Sequence, residues 1–318
     1  MNPSDDYLSS FRDIHSKLKK RFFRKTNATQ AAKELASLGR RLSDQGAPAY
    51  SAFFHQAAAK TESSAGNHFQ EIDSTLESAR QYLHAVREAR YLGVLSFDEN
   101  FVNAQVSYRR AAALYTAREQ PLLAGAVMIE LGDVVANELD RYDEAVPFYV
   151  EAIDAMRDAG VTEKIDAQGK LAWCQILAGD FEGALDVLVE IVALCKEFAS
   201  SADGSPAFYG DTMRRCDILV ILLLILLRPL NFKTNSKFQP IVRKYFDWDP
   251  LSTLIPVDYM PMNLFLVVHS ILIAGEADDL RALKDLQREL WPLASPEQNH
   301  VMHELIGSVE ARQQPIFK

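Results

Sequence analysis

The chain has 318 residues, of which 48% are hydrophobic and 24% are charged, and its formal net charge is −9. This is a globular composition, long enough for one large domain or two smaller ones. The acidic balance argues against nucleic-acid binding by most of the chain, because phosphate groups need a basic surface.

The first 45 residues differ from the rest because they are basic. They carry a net charge of +5, from ten Lys or Arg and five Asp or Glu, so the remainder carries −14. The stretch KLKKRFFRK (17–25) places six cations and two Phe within nine residues. It is consistent with a solvated basic face, with a contact for an acidic partner surface, or with a nuclear-import signal. The candidate contact residues in this stretch are Lys19, Lys20, Arg21, Phe22, Phe23 and Arg24.

Helical periodicity extends over most of the chain. In FVNAQVSYRRAAALYTA (101–117) and LRALKDLQRELW (280–291), apolar residues recur every three or four positions with charged residues between them. The segment Ser295-Pro-Glu-Gln298 is typical of a helix start, with a capping Ser, Pro at the first helical position, and a Gln that can reach back to the cap. The sequence therefore predicts an all-α protein of roughly fourteen helices.

Three segments share one pattern of small and large residues. They are Ala104-x3-Tyr108-x2-Ala111, Ala145-x3-Tyr149-x2-Ala152 and Ala184-x3-Leu188-x2-Ile191, at intervals of 41 and 39 residues. Small residues allow two helices to approach closely, and the pattern is similar to a degenerate tetratricopeptide repeat. We predict a single α-solenoid domain over residues 1–318, built from about seven such hairpins. A short loop (200–207) and an irregular aromatic-rich segment (229–261) interrupt it. Unrelated amphipathic helices are the alternative explanation.

The most apolar segment is Ile218–Leu227, ten consecutive aliphatic residues between Asp217 and Arg228. As a helix it is about 15 Å long, which is half of a bilayer's hydrocarbon core. We therefore predict a helix that is buried on every face, covered by neighbouring helices, by a partner protein, or by both. Leaving half of the run in water would forgo on the order of 10 kcal/mol. Its candidate partner contacts are Leu222, Leu223 and Leu226.

Further candidate contacts lie toward the C-terminus. The segment Asn231–Pro261 is irregular and rich in aromatic residues, as are some protein interfaces, and it contributes Phe246 and Trp248. Trp291 is another candidate. The acidic part of the chain predicts contact with a basic partner surface, for which we select Glu276, Asp278 and Asp279.

No catalytic constellation is present in the sequence. Gly169-Lys170 lacks the glycine that a phosphate-binding loop needs, and HVMHE (300–304) does not match the HExxH zinc motif. The three cysteines show no metal-binding spacing. We therefore predict a protein that is not an enzyme and needs no cofactor or metal. We also expect a cytoplasmic location, because the N-terminus lacks an apolar signal sequence.

Three motifs in the same order resemble one family. SKLKKRFFRKTN (16–27), RRCDILVILLLILLRP (214–229) and LWPLASPEQNH (290–300) are similar to the forty-kilodalton huntingtin-associated proteins, also called the factor VIII intron-encoded family. The resemblance indicates an orthologue, although SSADGSP (200–206) stands where better-known members carry a long insertion.

This resemblance implies a tetratricopeptide-like scaffold that binds huntingtin, a very large HEAT-repeat protein, in a one-to-one complex and stabilises it. It also implies an association with an early-endosomal Rab GTPase and an early-endosome pool beside the cytoplasmic one. The basic stretch 17–25, as an import signal, would add a nuclear pool. We expect poor solubility of the chain without its partner.

Two other functions fit parts of the sequence. Residues 112–155 resemble the soluble attachment proteins that couple a fusion ATPase to membrane complexes. A peptide-binding tetratricopeptide adaptor with an open groove is the second alternative. The proteins that co-purify with the chain distinguish these functions.

Overall fold

A computed structural model describes residues 7–19, 28–94, 98–157, 159–199, 206–229, 235–249, 251–252 and 254–313. Within these residues the chain forms fourteen α-helices and no β-strand, which confirms the all-α prediction. The helices belong to two compact units, Met1–Gly160 and Val161–Lys318. The single domain over residues 1–318 stays a prediction. None of the described helices is both long enough and apolar enough to cross a membrane.

The first unit contains seven described helices, each packed against the next one in sequence. They are α1 (Tyr7–Lys19), α2 (Ala28–Asp44), α3 (Pro48–Ala65), α4 (His68–Tyr91), α5 (Glu99–Thr116), α6 (Pro121–Asn137) and α7 (Tyr142–Ala155). Local signals set their ends: Pro48 and Pro121 occupy first-turn positions, and Gly66 ends α3 in the left-handed conformation at φ 74°. These residues favour short turns between helices, so each helix can fold back against the one before it.

Alternate helices of the first unit also lie side by side. Three arginines of α4 pair with acids of α6 or of the residues just after it, and the partner numbers rise together along both helices. The pairs are Arg80 with Glu130, Arg87 with Glu138, and Arg90 with Asp140. Helices α4 and α6 are therefore parallel, which is the arrangement that stacked helical hairpins require.

The three repeated segments lie at equivalent places on α5, α7 and, in the second unit, α9 (Phe181–Ala199). Every residue that defines the pattern is buried, and its alanines are 0% exposed. Helices α6 and α7 lie close together at Gly132, where a Cβ atom would lie 2.9 Å from Cε1 of Tyr149. The small residues of the pattern are therefore buried, and Gly132, which lies outside the pattern, marks a close approach of α6 to α7.

The second unit is organised around its long apolar helix. Its helices are α8 (Val161–Ala178), α9, α10 (Pro206–Leu227), α11 (Gln239–Phe246), α12 (Met262–Glu276), α13 (Leu280–Leu290) and α14 (Pro296–Gln313). Helix α10 packs against α9, α12 and α14, so neighbours surround it. The segment predicted to be irregular, 229–261, contains the eight-residue helix α11.

The predicted cap of α14 is present and has a second role. The amide of Ser295 donates to Oε1 of Gln298 at 2.9 Å, which is the reciprocal bond of a capping box. Nε2 of Gln298 then donates to the carbonyl oxygen of Arg215 at 3.1 Å. Gln298 is only 2% exposed, so one side chain both caps α14 and fastens it to α10.

Candidate partner-binding surfaces

The aliphatic run of α10 is covered by the chain itself. Residues Ile218 to Ile225 are each at most 7% exposed, and Leu226 and Leu227 are partly buried. Neighbouring helices of the chain therefore cover most of the run, which is one of the explanations that the sequence offered. Leu222 and Leu223, at 1% and 0% exposure, have no surface left for a partner in this structure. The burial of α10 therefore gives no reason to expect that the free chain is insoluble.

A buried polar cluster closes the N-terminal end of the run. Asp217 is 0% exposed, and its Oδ2 accepts a hydrogen bond from Nζ of Lys244 at 3.0 Å and from the hydroxyl of Tyr245 at 3.2 Å. The hydroxyl of Tyr259 donates to the same oxygen. Burial, and then the charge of Asp217, raise the pKa of both phenols, so each tyrosine remains a donor. Asp217 thus joins α10 to α11 and to the segment that follows it.

A second polar cluster closes the C-terminal end of the run. Arg228 donates to both carboxylate oxygens of Asp278 and, at 2.7 Å, to the carbonyl oxygen of Gly275. Arg312 of α14 donates to Asp278 as well. Burial alone would raise the pKa of Asp278, but the hydrogen bonds from the two arginines hold it below its ordinary value. Helices α10, α12 and α14 therefore meet at one carboxylate.

The three selected acids have different surroundings. Asp278 is engaged by the two arginines, and Oδ1 of Asp279 accepts from the amide of Ala282 at 3.0 Å, which caps α13. Glu276 is exposed at the end of α12. Two of the acids chosen for contact with a partner thus have structural partners inside this unit, and both Glu276 and Asp279 are exposed.

The selected aromatic residues differ in how far they are exposed to solvent. Phe246 and Trp248 are partly buried against the core of the second unit. The ring of Trp248 makes edge contacts with Phe265 and His269, at centroid distances of 5.2 and 5.1 Å. Trp291, at the end of α13, is 62% exposed and remains available for contact. No structural observation tests whether any of these residues touches a partner.

The basic N-terminal prediction falls almost entirely outside the described residues. Lys19 is the last residue of α1, and the candidates Lys20, Arg21, Phe22, Phe23 and Arg24 lie beyond the described range. The role of this stretch stays a prediction.

Two exposed leucines were not among the contact residues predicted from the sequence. Leu251 and Leu254, between α11 and α12, are 91% and 78% exposed. A signal was available, because LSTL (251–254) lies between prolines and outside any helical periodicity, so no predicted helix could bury it. The contact residues predicted for this segment were the nearby aromatic residues Phe246 and Trp248 instead.

No family model matches the sequence. The chain is similar to the 40-kDa huntingtin-associated proteins of Rattus norvegicus and Mus musculus, with 26% identity to each. Each alignment covers 94% of this chain and 91% of the relative. A similarity that extends over nearly the whole of both proteins supports common ancestry rather than a shared motif.

Proposed function

We propose that this chain is a non-catalytic scaffold protein that binds huntingtin in a one-to-one complex and stabilises its HEAT-repeat structure. The observation that carries this proposal is the similarity to two proteins named for huntingtin association, over 94% of the chain. The collinear motifs of the sequence agree with it, and we treat the chain as an orthologue of these relatives. Binding rather than catalysis also agrees with the lack of a catalytic motif in the sequence.

In this proposal the chain is folded before it meets its partner. The support is the burial of Ile218 to Ile225 by the chain's own helices. Since this core is complete, the partner engages side chains that are exposed in the free chain, such as Trp291 at 62% exposure and the acidic Glu276. We therefore expect the isolated chain to be folded, and its poor solubility without the partner stays a prediction.

The proposal includes the cellular role that the family resemblance implies. A cytoplasmic protein that accompanies huntingtin to early endosomes, through an early-endosomal Rab GTPase, is the expected context, with a nuclear pool as well. Loss of the chain should then reduce the fraction of huntingtin on early endosomes. Imaging of tagged huntingtin in cells with and without the chain measures this, and an unchanged fraction contradicts the endosomal part.

The experiment for the central proposal is affinity purification of the tagged chain from its own cells, followed by mass measurement of the complex. We expect huntingtin at one copy per chain. A lone monomer, or a hexameric fusion ATPase with its membrane complexes, would overturn the proposal. A lone monomer would show that no stable partner binds, and a fusion ATPase would favour the attachment-protein alternative.

Two variants show that binding depends on the folded chain. Leu223→Asp places a charge at a position with 0% exposure, which should unfold the second unit and abolish recovery of huntingtin. Val102→Asp introduces the same charge at a position that is 53% exposed and should leave the fold intact. Circular dichroism of both purified variants confirms the difference in folding.

A further inference from the structure

The loop between α11 and α12 displays two large apolar side chains. Leu251 and Leu254 are 91% and 78% exposed, the highest values among the large aliphatic residues of the described second unit. Burying a leucine side chain is worth about 1.5–3 kcal/mol, which both residues forgo in the free chain. Scattered exposed leucines are ordinary, but these two lie three residues apart on one loop, and together they are called the apolar tip here.

The backbone of each leucine is hydrogen-bonded within the described part of the loop. The amide of Leu251 donates to Oδ1 of Asp249 at 2.9 Å, and the amide of Ser252 donates to the carbonyl oxygen of Asp249 at 2.8 Å. The carbonyl oxygen of Leu254 accepts from Oγ of Ser252 at 2.9 Å and from Nε1 of Trp248 at 3.0 Å. Because these bonds are made in the free chain, binding has to order these described residues less than it would order residues without such bonds.

Both ends of the loop are anchored in the core. Before the leucines, the ring of Trp248 packs against Phe265 and His269 of α12. After them, Met260 is buried at 4% exposure, and Tyr259 donates to the buried Asp217. The described residues on both sides of the tip are therefore packed against the core of the second unit.

The charged residues next to the tip in sequence are mostly acidic, with the exposed Arg243 as the basic exception. Asp247, Asp249 and Asp258 are exposed, and residues 245–280 contain no Lys or Arg. An acidic loop is repelled by the anionic lipids of a cytoplasmic membrane surface, so the charge opposes a lipid partner. The complementary surface is an apolar pocket with Lys or Arg at its rim, which a protein can provide.

We propose that Leu251 and Leu254 form a preorganised anchor that inserts into an apolar, basic-rimmed pocket of the protein partner. This inference rests on the proposed function and adds to it the contact point and the chemistry of the partner's pocket. Trp248 is a positioning residue in this anchor, because its indole holds the carbonyl of Leu254 rather than touching the partner. Asp247 and Asp258 guide the approach of the basic rim.

The test measures binding kinetics between the purified full-length chain and huntingtin from the same organism. Leu251→Ser/Leu254→Ser should weaken binding by about 30-fold or more, mainly through faster dissociation, as for removal of a buried anchor. The matched control is Ile273→Ser on α12, which removes an aliphatic side chain that is 55% exposed and should change the affinity by less than about threefold. Melting temperatures close to wild type show that the variants are folded.

Two further variants separate the parts of the anchor. Trp248→Phe keeps an aromatic ring but removes the N–H that donates to Leu254, and it should weaken binding less than loss of the leucines. Asp247→Asn/Asp258→Asn should slow association by about three- to tenfold at low salt, with little effect on dissociation. Loss of that difference at high salt would identify the contribution as electrostatic.

The outcomes distinguish this inference from the proposed function. If wild type binds huntingtin and the leucine variant binds equally well, the anchor is wrong and the proposed function stands. If wild type does not bind, the proposed function is overturned, and the anchor for that partner falls with it. A leucine variant no weaker than Ile273→Ser would also overturn the anchor.

Discussion

Arg228 and Asp278 are 50 residues apart in sequence, and Nη1 of the arginine donates to Oδ2 of the aspartate at 2.9 Å. Both residues have left-handed backbones, with φ of 50° and 52°. Helix α10 ends at Leu227, just before the first of these residues, and α13 begins at Leu280, two positions after the second. The pair thus joins two helix boundaries that lie far apart in the chain.

The contribution of this junction can be measured with Asp278→Asn. Asparagine tolerates the left-handed backbone but removes the charge that Arg228 and Arg312 share, so unfolding free energy should fall by about 1–2 kcal/mol. The control is Asp285→Asn, whose partner Arg288 is 78% exposed and whose loss should cost at most about 0.5 kcal/mol. Urea unfolding followed by circular dichroism gives both values. Equal losses would contradict a special role for Asp278.

The buried pair of Asp217 and Lys244 should be far more sensitive. Lys244→Met leaves a carboxylate at 0% exposure without its counter-charge, which typically costs about 3–5 kcal/mol. The double variant Asp217→Leu/Lys244→Met removes both charges and should recover most of this loss. As the control, Lys237→Met breaks an exposed pair with Asp186 and should cost less than about 1 kcal/mol. A double variant as unstable as the single one would argue that Asp217 acts mainly through its two tyrosines.

His55 predicts a pH dependence of stability in the first unit. Its side chain is 3% exposed, and Nε2 has no hydrogen-bond partner among the described residues. Burial lowers its pKa, and the charge of Arg40 adds to this, although Glu77 and Asp73 oppose it. The unfolded chain therefore binds a proton more readily, so stability is complete above the ordinary pKa of about 6.5 and falls as the pH drops below it.

The change that tests this is His55→Gln, which stays neutral. Between pH 6.5 and pH 5, wild type should lose up to about 1.4 kcal/mol per pH unit more than this variant. The exposed His303→Gln is the control, and it should keep the wild-type dependence. Denaturant unfolding at several pH values supplies the comparison, and parallel curves for wild type and His55→Gln would refute the prediction.

Close packing at Gly132 makes a steric prediction. Gly132→Ala would place a methyl carbon 2.9 Å from Cε1 of Tyr149, and the repacking should cost about 1–3 kcal/mol. Gly169→Ala is the matched control, because a Cβ there meets no atom within 4 Å and its helical backbone suits alanine. That variant should gain about 0.5–1 kcal/mol. Thermal unfolding of the two variants should therefore shift in opposite directions.

The sequence alone was sufficient to predict features that depend on residues close together in the chain. The helices of 101–117 and 280–291, the cap at Ser295 and the buried alanines of the three repeated segments all follow from residues within a few positions of one another. Helical periodicity and caps are local properties, so their predictions were confirmed. The sequence also showed that Ile218–Leu227 had to be covered, because leaving ten aliphatic residues in water is too costly.

The tertiary structure alone decided what covers that run and which side chains remain exposed. Leu222 and Leu254 are the same residue type, yet one is 1% and the other 78% exposed. The difference depends on contacts such as those of Gln298 with Arg215, 83 residues apart, and of Arg228 with Asp278. Local sequence does not decide burial, because the helices that cover a side chain can be far from it in the chain.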